Sequence, residues 1–174
     1  MKRLAGIAVV IFIIGFISQD ISAQNLKFGH INSDELIQSL PEFDSANKKL
    51  EKFRQDLINA LELMQVELNN KTDAYQKEQK NLTDIVRQAK EGEIIDMQNR
   101  IQQFQANAQQ QLQEKQAELF QPIMAKIDKA IKDIGKEQGF VYIFTVGQGS
   151  TLVYFDETKS TNVLPLAKAK LGIK

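Results

Sequence analysis

The chain has 174 residues, with 22 lysines and arginines against 22 acidic residues, and it contains no cysteine and no tryptophan. Without cysteine there is no disulfide, no thiolate metal site and no lipid-modified cysteine. Zero net charge gives no general attraction to nucleic acid or to an anionic membrane surface. Charged residues make up 25% of the chain, with only three prolines, which suits long solvated helices better than a thick globular core.

Met1-Lys2-Arg3 is a short positive segment, and the run Leu4 to Ile17 carries no charge. A polar stretch, Ser18 to Ala23, follows and ends in small residues. That order and length predict a secretory signal peptide over 1–23, cut between Ala23 and Gln24. A membrane-spanning helix usually needs about 18–20 apolar residues, more than this run supplies. Cleavage removes Lys2, Arg3 and Asp20, leaving 20 basic against 21 acidic residues in a nearly neutral mature chain.

Leu26 to Asn32 reads as a short strand. Ser33 is placed to cap a brief helix over Asp34 to Leu40, with acidic residues in its first turn. Ser39-Leu40-Pro41-Glu42 has the spacing of a capping box, with proline where its missing N–H costs little. A long helix is predicted from there. Its apolar residues recur at steps of mostly three and four, among them Phe43, Ala46, Leu50, Phe53, Leu57, Leu61, Met64, Leu68 and Tyr75, continuing to Ala89.

Gly92 interrupts the stripe, which resumes at Ile94, Met97, Ile101, Phe104, Ala108 and Leu112 and continues to Ile134. Two helical runs of similar length around one glycine predict an antiparallel hairpin with its tip at 90–93. Arms of about 45 residues would make a rod roughly 70 Å long. Ten glutamines fall among the 24 residues from 98 to 121. They read either as a solvated helix face or as a soft surface that contacts many partners without a fixed register. Pro122 inside the stripe predicts a bend or an open backbone hydrogen bond.

Gly139 is placed to end the second arm. Phe140 to Val146 is a dense β-branched and aromatic strand. Gly147 to Ser150 reads as a turn and Thr151 to Phe155 as a second strand, together a β-hairpin. A short amphipathic helix is predicted over Asn162 to Leu171.

The predicted fold is thus mainly α with a small β part. A helical hairpin over 43–138 stands on a base made of 24–42 and 139–174. That base has 55 residues and strands richer in apolar side chains than so small a unit can bury. Domains of fewer than about 70–80 residues without disulfides or metals commonly need association. Closing strands from several copies into a shared barrel would meet that need and cover the strand edges. The residues expected in this oligomerisation base are Phe28, Ile31, Val141, Ile143, Val146, Leu152 and Tyr154.

No constellation for catalysis is visible. His30 is the only histidine and reads as structural, since no second histidine or cysteine completes a metal or nucleophile site. Gly147-Gln148-Gly149-Ser150 lacks the Gly-Lys-Ser/Thr ending of a phosphate loop. No enzyme activity, cofactor, metal or nucleotide is expected.

The order of parts resembles the Skp (OmpH-like) family of periplasmic chaperones over essentially the whole mature chain. The segments that carry the resemblance are Lys27-Phe-Gly-His-Ile-Asn-Ser-Asp-Glu-Leu36, Phe120-Gln-Pro-Ile-Met-Ala-Lys-Ile127 and Gly139-Phe-Val-Tyr-Ile-Phe144. The resemblance implies a homotrimer with a small β-barrel body and three helical tentacles around a cavity. It also implies ATP-independent holding of unfolded outer-membrane proteins. The best-known members are strongly basic, whereas this chain is neutral, so a lipopolysaccharide site is not carried over. Client contact is then expected from apolar side chains on the tentacle, Phe53, Leu57, Met64, Tyr75, Met97, Ile101 and Phe104, each of which also reads as a residue of the hairpin seam. The reading left beside it is a periplasmic adaptor coiled coil that binds one folded partner.

Overall fold

The structure, a computed structural model, describes residues 26–173. The expected signal segment and the bond between Ala23 and Gln24 lie outside the described residues. Strand β1 (Lys27–Asn32) leads into helix α1 (Ser33–Gln38), long helix α2 (Pro41–Glu78), a 3-10 turn (Gln79–Asn81) and long helix α3 (Asp84–Gln138). Strand β2 (Phe140–Val146), strand β3 (Ser160–Asn162) and helix α4 (Leu164–Lys170) complete the chain. The molecule is mainly helical with one small parallel sheet, and among the described residues no helix is long and apolar enough to cross a membrane.

Helix ends follow local chemistry, with two shifts from the expected caps. Asn32, not Ser33, caps α1, its side-chain oxygen accepting from the Glu35 N–H at 3.1 Å. Ser39 does not form the expected capping box. Its hydroxyl donates to the Leu36 carbonyl at 2.7 Å, closing the end of α1 instead of the start of α2. Pro41 does sit in the first turn of α2. Gly139 ends α3 in the left-handed region at φ 69°, a conformation glycine adopts without a Cβ penalty. Lys27 Nζ donates to the terminal Gln138 carbonyl at 3.1 Å, a cation at the negative end of the helix.

The break between the long helices lies at 79–83 and not at 90–93. Gly92 is inside α3 with open space around it. A lone glycine costs a helix only about 1 kcal/mol, too little to stop it. The start signal is Thr83-Asp84: the Thr83 hydroxyl accepts from the Val86 N–H, and Asp84 sits in the positive first turn. The two helices are therefore unequal, 38 and 55 residues, or about 57 and 82 Å. Their contacts run in opposite numerical order. Glu42 meets Lys126 and Phe43 meets Phe120 at one end, while Lys71 meets Glu93 and Glu78 meets Lys90 at the other. The α3 helix runs unbroken through Pro122.

The sheet has the order β2-β1-β3, with both neighbours parallel to β1. This corrects the expected β-hairpin. Residues 151–156 are not a strand, and β3 lies further along the chain, at Ser160–Asn162. A strand exists only where a neighbour satisfies its backbone, and within one chain β3 takes the free side of β1. The core gathers Ile31, Leu36, Leu40, Ala46, Ile123, Ile127, Ile134, Val163, Leu164 and Ala167. It therefore crosses the expected boundary between base and hairpin, because the last third of α3 and the first turns of α2 pack into the base.

Candidate functional site

Two surfaces stand out, and each follows from an apolar residue that the single chain leaves uncovered. The first is the outer face of the sheet. Side chains alternate along a strand, so Gly29 and Ile31 of β1 face the helices while Phe28 and His30 face outward. In register with them, Tyr142 stacks on Phe28 with ring centroids 6.3 Å apart, and Phe144 stacks on Tyr142 at 5.8 Å. Phe155 packs against His30 at 4.7 Å, and His30 Nδ1 lies 2.9 Å from the Ser160 hydroxyl. The lone histidine thus ties β1 to β3. An aromatic hollow of about 290 Å³ between Phe28, Phe144, Leu152, Tyr154 and Phe155 opens on this face.

The residues expected in the oligomerisation base separate into two groups. Ile31 is fully buried and Ile143 packs against the same core, so both serve the fold of the single chain. Phe28, Val146 and Leu152 are half-buried. Val141 and Tyr154 are exposed, as are Tyr142 and Val153, the last at 99%. Strand β2 is also an edge of the sheet, with an unpaired row of backbone groups beside this apolar surface.

The second surface is the rod. The seam between α2 and α3 is closed over at two places. Met97 and Ile101 are buried, and burial resumes on α3 at Ile123. On α2 the only buried residue is Ala46. Between them Phe53, Leu57, Met64 and Phe104 are half-buried, and on the turn side of Met97 so is Tyr75, opposite Glu91. Of the seven side chains expected at the client surface, Met97 and Ile101 are buried in the single chain and the other five are half-buried.

Sequence reasoning missed the more exposed apolar residues of the rod, Ile58, Leu63, Val66, Ile85 and Ile95. Their signal was present: each falls off the three-and-four stripe, several directly beside a stripe residue, as in Leu57-Ile58, Leu63-Met64 and Ile94-Ile95. An apolar residue outside the seam has no partner in a two-helix rod.

Besides a hollow at the foot of the rod between Pro41, Ala46, Leu119 and Ile123, two shallow grooves follow the seam. One, of about 180 Å³, is lined by Leu57, Ile58, Leu61, Phe104, Ala108 and Leu112, with Arg54, Gln105 and Gln109 on its rim. The other, nearer the turn, lies between Tyr75, Ile94 and Ile95, with Thr72, Gln76, Gln79, Glu91 and Gln98 around it. The charges at both rims are already satisfied. Arg54 pairs with Glu51 at 2.9 Å, and its guanidinium holds that carboxyl below the usual glutamate range. The Tyr75 hydroxyl donates to Glu91, which raises the phenol pKa. Across the seam, Lys71 bonds Glu93 at 2.8 Å, lowering the carboxyl and raising the ammonium. Among the described residues no three histidine, cysteine or acidic side chains gather as a metal set.

No individually curated protein matches the chain. The family model described as "Outer membrane protein (OmpH-like)" matches residues 27–171, from the first residue of β1 to just past α4. That span takes in the sheet, both long helices and both surfaces, and the chain belongs to the OmpH-like family.

Proposed function

We infer that this protein is an ATP-independent holdase of the periplasm, which retains unfolded outer-membrane β-barrel proteins and keeps them from aggregating. The observation that carries the reading is the half-buried middle of the rod. There a helix pair of family-typical order leaves Leu57, Ile58 and Phe104 accessible along shallow grooves. A rod built only as a spacer has no use for such residues. Many weak apolar contacts, repeated on several arms, give tight but reversible retention.

The opposite numerical order of the contacts between α2 and α3 supports an antiparallel tentacle. Association of copies is supported by the outer face of the sheet. Val141, Tyr142, Phe144 and Tyr154 form an exposed apolar patch beside the open edge of β2. Three copies closing these edges into a barrel would bury both and bring three arms around one cavity. Cleavage between Ala23 and Gln24 would deliver the chain to the periplasm.

The test is aggregation of a urea-unfolded outer-membrane β-barrel diluted into buffer, followed by light scattering with and without the purified mature protein. The holdase suppresses scattering in the absence of ATP. A protein that forms a trimer yet leaves scattering unchanged is not a holdase, and selective capture of one folded periplasmic protein would then favour the adaptor reading. Intact mass of the native protein tests the cleaved form beginning at Gln24.

A further inference from the structure

The two flanks of the rod differ in chemistry. At about 100° per residue, measured from Leu57 on α2 and from Met97 on α3, Ile58, Gln65 and Gln76 turn to one side of the seam. Gln98, Gln105 and Gln109 turn in the same sense on α3. Because the contacts of the two helices run in opposite order, equal displacements on both fall on one side of the rod. Both grooves open there, since Ile58, Gln105 and Gln109 line one and Gln76 and Gln98 the other. The other side carries Glu67, Asp96, Arg100, Glu114 and Glu118, with the ion pair between Lys115 and Glu118. One flank thus carries both grooves with their amide rims; the other is richer in charge and carries the exposed Leu63.

We propose that the amide-rimmed flank is the client-contact face, and that its occupant is an extended, unfolded polypeptide segment lying along the rod across both grooves. The proposal rests on the holdase reading and names the surface and the chemistry it uses. Three features fit that occupant. Each glutamine amide offers two donors and an acceptor, the complement of a peptide backbone that has lost its own partners. Such bonds read main chain and not side chains, so they accept any sequence. The grooves take apolar side chains without desolvating an unpaired charge.

The spacing fits as well. The grooves are centred about 18 residues apart on α2, a distance of about 27 Å. An extended segment covers that distance in about eight residues, close to the roughly nine to eleven residues of a transmembrane β-strand. Alternate side chains of such a segment are apolar and can seat in the grooves, while its backbone faces the glutamines between them.

The experiment uses the full mature protein, a fluorescently labelled unfolded β-barrel client, and two pairs of substitutions. Gln98→Glu with Gln109→Glu places one charge on each groove rim. Asn70→Glu with Gln103→Glu places the same charge on the ionic flank. Circular dichroism and light scattering confirm that both variants keep helicity and oligomeric state. The rim variant weakens client affinity about tenfold or more, as expected when amides that pair with backbone become acceptors only, and the control stays within about twofold. Equal loss in both variants, or in neither, overturns the proposal while leaving the holdase reading intact. A photo-cross-linker at Gln109 is expected to capture client, and one at Gln103 is not. Capture of a second copy from Gln109 before any client is added would assign the groove to the oligomer and overturn the proposal. A wild-type protein that retains no client would remove the holdase reading itself.

Discussion

The base and the middle of the rod are built from the same residue types and differ in how completely those residues are closed over. In the base, Ile31, Leu36 and Val163 reach zero exposure because strands, two short helices and the end of α3 surround them on all sides. In the rod, Leu57 and Phe104 meet only one neighbouring helix and keep one flank open. Two helices can cover a stripe but not enclose it. The base is therefore expected to carry the stability of the chain, and the rod to trade stability for accessible surface.

The strongest test of that contrast is Leu36→Ala. The side chain is fully buried, and truncation is expected to destabilise by about 2–5 kcal/mol, read as a lowered urea midpoint by circular dichroism. A loss below about 1 kcal/mol would show that the base core is not what holds the fold. Gly29→Ala probes the same region from the opposite direction. A Cβ there would sit 3.1 Å from Val163 Cγ1 and 3.2 Å from Ile143 Cγ1 and Phe140 Cδ1. Overpacking of this kind costs about 1–3 kcal/mol, and urea unfolding measures it.

Leu57→Ala moves the comparison to the rod. A half-buried leucine gives up roughly half the burial of a core one, so the expected cost is about 1 kcal/mol, against a larger loss of client affinity. If the stability loss matched that of Leu36→Ala, the rod would be as tightly closed as the base.

The smallest effect concerns the Lys71–Glu93 bridge near the turn. Glu93 is held below its ordinary range chiefly by the hydrogen bond from Lys71. The stabilisation is therefore present above the unfolded glutamate pKa of about 4.3. It is lost as pH falls through the lower folded value. Lys71 is raised by the same bond, so its part persists at neutral pH and is lost only above the ordinary lysine range. Both groups are largely solvated, and salt screens the pair. Amide exchange near Glu93, corrected for intrinsic pH dependence, should show slightly more frequent opening at pH 3 than at pH 6. Glu93→Gln should remove the difference.

Much of the fold was legible because helix caps and periodicity are local. The seam residues from Phe43 to Leu68 and from Ile94 to Ile134, the Pro41 start and the Gly139 end all rest on neighbours within a turn of helix. The misplaced turn also has a local cause. A cap and a first-turn acid, Thr83-Asp84, start a helix more decisively than the one glycine, Gly92, stops it. What could not be read was partner choice: whether residues 151–155 or 160–162 would pair in the sheet, and which of Met97, Ile101 and Phe104 the opposite helix would cover.

The sequence by itself determined most of the helical elements, the absence of cysteine and the balanced charge, because these depend on residue type and short spacing. The tertiary structure alone decided the sheet order, the burial of Ile123 to Ile134 within the base and the division of the rod into an amide flank and an ionic flank. Each of these depends on the register between segments distant in sequence, and a register is set only when the side chains of both partners meet.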